Sequence, residues 1–376
     1  MLNLILKNSL HRPARVLLTV LAVAAVLAEI LVLEGFLAGS YKQMRDAVQR
    51  RGGDLIVAQS GISSFLMARS ILPQQTRAAI EAQPGVASAE PLTLLSLIYE
   101  GGGRLMPVFI LVYDNAGGPL EIVRGRAPAA DGEIVIDRAL AERFGLAPGD
   151  TLTLADYDFT IAGVSRNSAV LFTPFVFMTY DSLLDFYFES DVAADIAAFP
   201  LLSFLSVTVA PGADPAAVIA AINANVADAD AMPLAVMAWN DDALARELLG
   251  PVLNLLLWLS YGIGATAIGM FMFAAVRGRR KSLGVLRALG FTTRQLAGAV
   301  IVEAVATVLL AMPVAIGLAL LLTWVIESWA PVYLVLPTEA AGLWRTGAIA
   351  LLLAVLGGLA PLRMLARLDP AAAFRG

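Results

Sequence analysis

The sequence has no cysteine among its 376 residues, which excludes disulfide scaffolds and thiolate metal sites. It has one histidine, His11, too few for a histidine-dependent triad or a multi-histidine metal centre. Charge is also scarce. Asp, Glu, Lys and Arg make up 15% of the chain and hydrophobic residues 59%, against about 25% and about 45–50% in an ordinary soluble protein. That balance excludes a disordered or nucleic-acid-binding chain and points to an integral membrane protein. Reaction motifs are missing too. The sequence contains no Gly-x-Ser-x-Gly elbow, no His-Glu-x-x-His, no EF-hand loop and no Gly-x-x-x-x-Gly-Lys-[Ser/Thr] phosphate loop. No enzyme is expected in this chain, and no metal or cofactor site.

The apolar residues are concentrated in four stretches: Val16 to Leu37, Pro251 to Val276, Leu296 to Trp324, and Gly347 to Leu362. A bilayer span needs about 20 such residues. The first stretch exceeds the roughly 7–15 residues of a signal-peptide core, and Glu29 and Glu34 sit in its outer half, so a retained helix is expected. The predicted fold class is a membrane α-helical protein with four transmembrane helices and a large α+β extracytoplasmic domain inserted between helices 1 and 2. The expected divisions are 1–41 (cytosolic amino terminus and helix 1), 42–249 (extracytoplasmic domain), 250–276 (helix 2) and 277–294 (cytosolic loop). Helix 3 follows over 295–325, an outer loop over 326–345, and helix 4 with a cytosolic tail over 346–376.

Orientation follows from Lys and Arg, which favour the cytoplasmic side. Lys7, Arg12 and Arg15 precede the first stretch, Arg277, Arg279, Arg280, Lys281, Arg287 and Arg294 lie between the second and third, and Arg363, Arg367 and Arg375 follow the fourth. Between the third and fourth lie Glu327, Glu339 and one base, Arg345. Both termini are therefore expected in the cytoplasm of a bacterial cell, with the protein multi-pass in its inner membrane. Phe36, Tyr41, Trp258, Tyr261, Trp324, Trp329, Tyr333 and Trp344 are expected to form an aromatic belt at the outer interface.

Residues 42–249 hold 25 acids and 13 bases, so the outward domain carries the negative charge. Short β-like runs (Asp54–Ala58, Leu92–Tyr99, Met106–Tyr113, Glu133–Ile136, Thr151–Leu154, Phe159–Val164, Phe175–Thr179 and Ser206–Ala210) alternate with turn residues such as Gly101-Gly102-Gly103. Arg138–Phe144 and Asp214–Val226 read as helices, the second with Asp214 as N-cap and Pro215 at the first position. Two lobes are expected. The pairs Asp156/Asp158 and Asp241/Asp242 read as solvated surface, Gly61-Ile62-Ser63-Ser64-Phe65 as a polar loop, and Asn240 as the N-cap of a helix that enters the second span, where Pro251 can interrupt it.

The most informative segment is Arg279-Arg280-Lys281-Ser282-Leu283-Gly284-Val285-Leu286-Arg287-Ala288-Leu289-Gly290-Phe291. Leu283, Leu286 and Leu289 recur at helical spacing within a basic collar, Gly290 can end the helix, and Thr292-x-x-Gln295 is a capping box for the next span. Periodicity leaves two readings open: an anchor lying on lipid headgroups, or an apolar knob seated in a cytosolic partner.

From Arg280 to Phe291 the segment resembles the "R-R-E-x-G-V-L-R/K-A-x-G" run of the FtsX/MacB/LolC-LolE family of ABC-transporter permeases. Leu365–Arg375 resembles that family's closing "A-x-x-L-x-P-x-E-A-L-R", and Arg138–Asp150 its "L-A-x-x-L-G-L-x-P-G-D". Gly52–Val57 and the Phe374-containing end resemble the DevC-like branch. Ser282 stands where the family carries an acid. The resemblance favours the second reading. It implies an ATPase-coupling helix made of Arg280, Lys281, Leu283, Gly284, Val285, Leu286, Arg287, Ala288, Leu289 and Gly290. It also implies a cytosolic tail contact through Asp369, Pro370 and Phe374.

The partners it implies are an ABC ATPase subunit that binds ATP and Mg, a second permease copy (a homodimer), membrane lipids, and a membrane-fusion or other extracytoplasmic protein. The expected function is coupling of partner ATP hydrolysis to movement of the outward domain, driving export of a lipid or amphiphile. The alternatives are an FtsX-like scaffold controlling an outside hydrolase and LolC/LolE-like lipoprotein extraction. Within the spans, Glu29, Glu303 and Pro313 are the coupling candidates, Glu34 is expected at the interface, and Ala24/Ala28 and Gly262/Ala265/Gly269 offer small surfaces for helix packing.

Overall fold

A computed structural model describes residues 13–114, 117–190, 202–278 and 280–359. In chain order the elements are α1 (Pro13–Gln49), β1 (Leu55–Gln59), α2 (Thr76–Glu81), β2 (Val86–Gly101), β3 (Arg104–Tyr113), β4 (Ile122–Gly125), β5 (Glu133–Asp137) and α3 (Arg138–Phe144). They continue as β6 (Thr151–Leu154), β7 (Tyr157–Ser165), β8 (Phe175–Thr179), α4 (Tyr180–Glu189), β9 (Phe204–Val209), α5 (Pro215–Asn225) and β10 (Ala229–Pro233). The last four are α6 (Leu234–Arg277), α7 (Arg280–Ala288), α8 (Thr293–Trp329) and α9 (Ala340–Leu359). The chain divides into two compact units. One holds residues 1–38, 251–328 and 335–376, and the other holds 39–250 with 329–334.

In the second unit ten strands form one mixed sheet in the order β10-β1-β9-β2-β3-β8-β5-β7-β4, with β6 paired to β7. β3 pairs β8 and β5 pairs β7 in parallel, and the remaining pairs are antiparallel. The strand types follow from side-chain patterning. Leu55-Ile56-Val57-Ala58 and Phe175-Val176-Phe177-Met178 are buried on both faces, as continuous apolar runs predict. Thr151-Leu152-Thr153-Leu154 alternates out and in, the pattern of a half-covered strand. β2 and β3 form a long hairpin closed between Gly101 and Arg104. Its two central residues, Gly102 and Gly103, have φ of 57° and 72°, the left-handed pair that a two-residue hairpin turn requires.

The expected two lobes are two hydrophobic cores on this single sheet. One gathers Val108, Ile110, Ile134, Ile136, Phe159 and Phe186, and the other gathers Leu55, Val57, Ile80, Val207, Val218 and Ile222. α5 starts as the sequence predicts, with the Asp214 carboxylate accepting from Ala216 N and Pro215 at the first position. β4, β10, α2 and α4 have no counterpart among the predicted elements.

In the first unit the core is built from small residues. Ala24 and Ala28 of α1, Ala304, Ala311, Ala315 and Ala319 of α8, and Ala350 and Ala354 of α9 are all buried together with Val23, Leu27, Leu31 and Ile268. Ala24/Ala28 thus pack as predicted. The expected Gly262/Gly269 surface does not, since an added Cβ at either would meet nothing within 4 Å. Gly264 makes the close approach instead, where a Cβ would lie 3.1 Å from Val26 Cγ1 and 3.2 Å from Ile30 Cδ1.

Among the described residues three helices are long and apolar enough to cross a membrane: Val16–Gln49, Leu234–Phe271 and Thr293–Trp329. The fourth predicted span corresponds to the shorter apolar stretch Ala340–Leu356 of α9. Helix ends differ from the predicted ones. α1 runs through residues 42–49, and α6 begins at Leu234, so Asn240 lies inside the helix rather than at its cap, with its amide donating to Ser63 O at 3.0 Å. Pro251 and Pro313 sit within α6 and α8, and neither helix is divided there.

Candidate functional site

The predicted coupling segment folds as the nine-residue helix α7. It ends as its glycine predicts: Gly290 takes φ 95°, Leu289 N donates to Val285 O and Phe291 N to Leu286 O. The capping box is present, with Thr292 N donating to Gln295 Oε1 at 3.0 Å and Gln295 N to Thr292 Oγ1 at 3.3 Å. A left-handed glycine and a capped helix start fix the loop without tertiary help. On α7, Gly284 is buried, Leu286 and Arg287 are half-buried, and Ala288 and Gly290 are exposed. Val285 and Leu289, four residues apart and on one face, are 42% and 72% exposed. The backbone of Arg280, Lys281 and Leu283 belongs to this helix. The tail residues Asp369, Pro370 and Phe374 lie outside the described residues.

The three intramembrane candidates do not converge. Glu29 is exposed on α1, Glu303 is half-buried on α8, and Pro313 faces outward between the buried Ala311 and Ala315. The acid that gathers partners is Glu34. Its carboxylate accepts from Tyr261 Oη at 2.6 Å and from Arg345 Nη2, joining α1, α6 and α9 in the first unit. Glu34 is buried. Tyr261 is buried with it, and Tyr41 is buried in the second unit beneath the Arg246 guanidinium at 4.0 Å. Neither tyrosine therefore belongs to an exposed aromatic belt, whereas Trp258, Trp324, Trp329 and Trp344 are exposed.

A second cluster corrects the reading of Asp241/Asp242 as solvated surface. Both are buried. Asp241 accepts from Ser64 Oγ at 2.5 Å, Phe65 N at 2.8 Å and Leu66 N at 3.3 Å, so the predicted polar loop is pinned to α6 by a carboxylate. Asp242 is held by Arg45 of α1 at 3.0 Å and Arg246 at 2.7 Å. Asp156 and Asp158 are exposed, as predicted.

Asp137 ends β5 and caps α3, accepting from Ala139 N at 2.8 Å and Ser168 N at 3.1 Å. Burial pushes its carboxyl up to about 6, although both backbone donors pull the other way. A carboxyl raised in the folded state makes folding less favourable as pH rises through the interval from its ordinary value to about 6, and the cost is absent below that interval. The full shift corresponds to about 3 kcal/mol. Hydrogen exchange of the α3 amides, corrected for intrinsic rates, should show higher protection at pH 4 than at pH 7, and Asp137→Asn should flatten that dependence.

Apolar helices with a mixed-sheet outward domain and a short capped helix between two of the spans define a membrane permease with an extracellular domain. Residues 16–225 match the MacB-like periplasmic core domain and residues 254–370 the FtsX-like permease C-terminal domain. The chain belongs to the FtsX/MacB family of ABC-transporter permeases. Relatives include an uncharacterized ABC transporter permease of Mycobacterium bovis, 27% identical over 384 residues, and one of Mycobacterium tuberculosis, 23% identical over 382 residues. Each match covers 100% of both chains. The periplasmic region of MacB from Actinobacillus actinomycetemcomitans aligns at 12% identity with a TM-score of 0.37, over 53% of this chain and 97% of that one.

Proposed function

We propose that this permease couples ATP hydrolysis on a separate subunit to movement of its outward domain, with α7 as the helix that docks on that subunit. The exposed Val285/Leu289 face of α7 carries this reading. An apolar pair at i and i+4, followed by a left-handed glycine and on the same helix as Arg280, Lys281 and Arg287, suits a knob in the groove of a partner. ATP and Mg belong to that ATPase subunit. The topology in this reading is four spans in the bacterial inner membrane with both termini cytoplasmic. A second copy of the chain completes the permease pair.

Transmission is favoured by helix length. α1 has 37 residues and α6 has 44, or about 55 and about 66 Å at about 1.5 Å per residue, against a hydrocarbon core of about 30 Å. In this reading each helix is longer than one crossing needs and remains helical beyond it. The work delivered outside is export of a lipid or amphiphile in concert with a membrane-fusion protein.

The test is co-purification of the ATPase subunit. Val285→Glu and Leu289→Glu, each placing a carboxylate on the docking face, should reduce retention at least about tenfold, since desolvating a charge there costs more than a kcal/mol or two. Unchanged retention in both variants overturns the assignment of α7.

A further inference from the structure

The outward domain is acidic overall, yet one of its arginines is buried with no acid beside it. Arg51 follows α1 and is 4% exposed. Its Nε donates to Ala47 O at 2.5 Å and its Nη1 to Gly117 O at 2.6 Å, and its guanidinium lies 5.6 and 5.8 Å from the ring centroids of Phe175 and Phe177. Among the described residues no carboxylate stands within ion-pair distance of it. A guanidinium has five N–H donors, and two of them have acceptors among the described residues. Burial and the neighbouring Arg50 together lower its pKa to about 9, the direction expected of a cation short of counter-charge.

Two carbonyls and two aromatic faces orient the group but do not neutralise it, and a buried charge without a partner is costly. The orientation is itself tightly specified. Gly117 has φ 86°, and an added Cβ there would fall 2.5 Å from Arg51 O.

Arg51 also lines an open cleft. Arg50 and Arg166 also line it, alongside Asp46, Asn167 and Ser168. The acids there are already engaged: Asp46 is shared by Lys42 and Arg50, and Glu121 holds Arg166. Asn167, which also lines the cleft, takes a φ of 57°.

We propose that this cleft binds a phosphate group, with the buried Arg51 guanidinium as its central donor and Arg50 and Arg166 flanking it. A planar fork with free donors matches phosphate oxygens two at a time, which a lysine at the same place cannot do. The ligand is a phosphate-bearing molecule, either a free anion or the headgroup of an acidic phospholipid. The inference does not depend on the ATPase-coupling reading.

The purified full chain in neutral detergent would be titrated with inorganic phosphate at constant ionic strength, and binding followed by phosphorus-31 line broadening. A second titration would use detergent micelles doped with phosphatidylglycerol or, as control, phosphatidylcholine. Saturable binding of inorganic phosphate identifies a free anion. Binding of phosphatidylglycerol alone identifies a lipid headgroup. Either result supports the site if Arg51→Lys weakens it at least about tenfold. Arg166→Gln, at an exposed position that leaves the buried packing intact, should weaken binding by a smaller factor. No saturable binding by the wild-type chain in either titration overturns the proposal, and so does binding that Arg51→Lys and Arg166→Gln leave unchanged.

Discussion

Replacing Arg345 with methionine should be the most damaging single change in the first unit. The variant leaves the Glu34 carboxylate buried, with Tyr261 as its remaining donor. Breaking a buried ion pair from one side costs about 3–5 kcal/mol, because the orphaned charge keeps its desolvation penalty. The Arg345 side chain is half exposed, which places the loss near the lower figure, about 3 kcal/mol. An SDS titration of the purified chain reads that free energy. The double variant Glu34→Gln with Arg345→Met removes both charges and should recover most of the loss. Tyr261→Phe, which deletes one donor, should cost about 1–2 kcal/mol. If the double variant were no more stable than Arg345→Met, the cluster would not be acting as an ion pair.

The second large effect should come from Asp241→Ala. This change removes the acceptor for Ser64 Oγ and for the amides of Phe65 and Leu66. Each buried donor left unmatched costs about 1–3 kcal/mol, and relaxation of the loop toward water will recover part of that. A net loss of about 2–4 kcal/mol is expected. The loop over residues 61–67 should become the first site of protease cleavage, with hydrogen exchange there rising before exchange in β1. Asp241→Asn keeps one acceptor oxygen and should lose about half as much. If cleavage began elsewhere in both variants, the carboxylate would not be what holds the loop.

The difference between what could and could not be read from sequence follows the range of the interactions. α5 announces itself through an N-cap and a proline placed within a few residues, and α7 through leucine spacing and Gly290. Those signals are local and survived intact. β4, with Ile122 half-buried and Val123, Arg124 and Gly125 exposed, exists only because β7 is there to pair with it. β10 likewise owes its place to β1, and no alternation in Ala229–Pro233 advertises it.

The charged clusters show the same division. Asp241 and Asp242 sit in an acidic domain where solvation is the reasonable default, and their partners Ser64 and Arg45 are 177 and 197 residues away. Glu34 left a faint trace, since Arg345 is the one base between the third and fourth apolar stretches and Glu34 one of few acids within such a stretch. Pairing them requires knowing that α1 and α9 are neighbours. Gly264 rather than Gly262 or Gly269 makes the close helix contact because, at about 100° per residue, positions two and five residues away point to a different side of the helix.

The seam of alanines through the first unit bears on how a permease of this family changes state. Alanine has a single side-chain conformation, so it loses no rotamer entropy on burial, whereas a leucine or methionine loses about 0.5–2 kcal/mol. Helices that meet through large interlocking side chains must unlock many rotamers before one can slide past the other. At Ala304, Ala311, Ala315 and Ala319 there are no rotamers to unlock. In the transmission proposed above, shifts of α8 along these alanines trade one methyl contact for another, with Val23, Leu27, Leu31 and Ile268 as the larger side chains that must adjust.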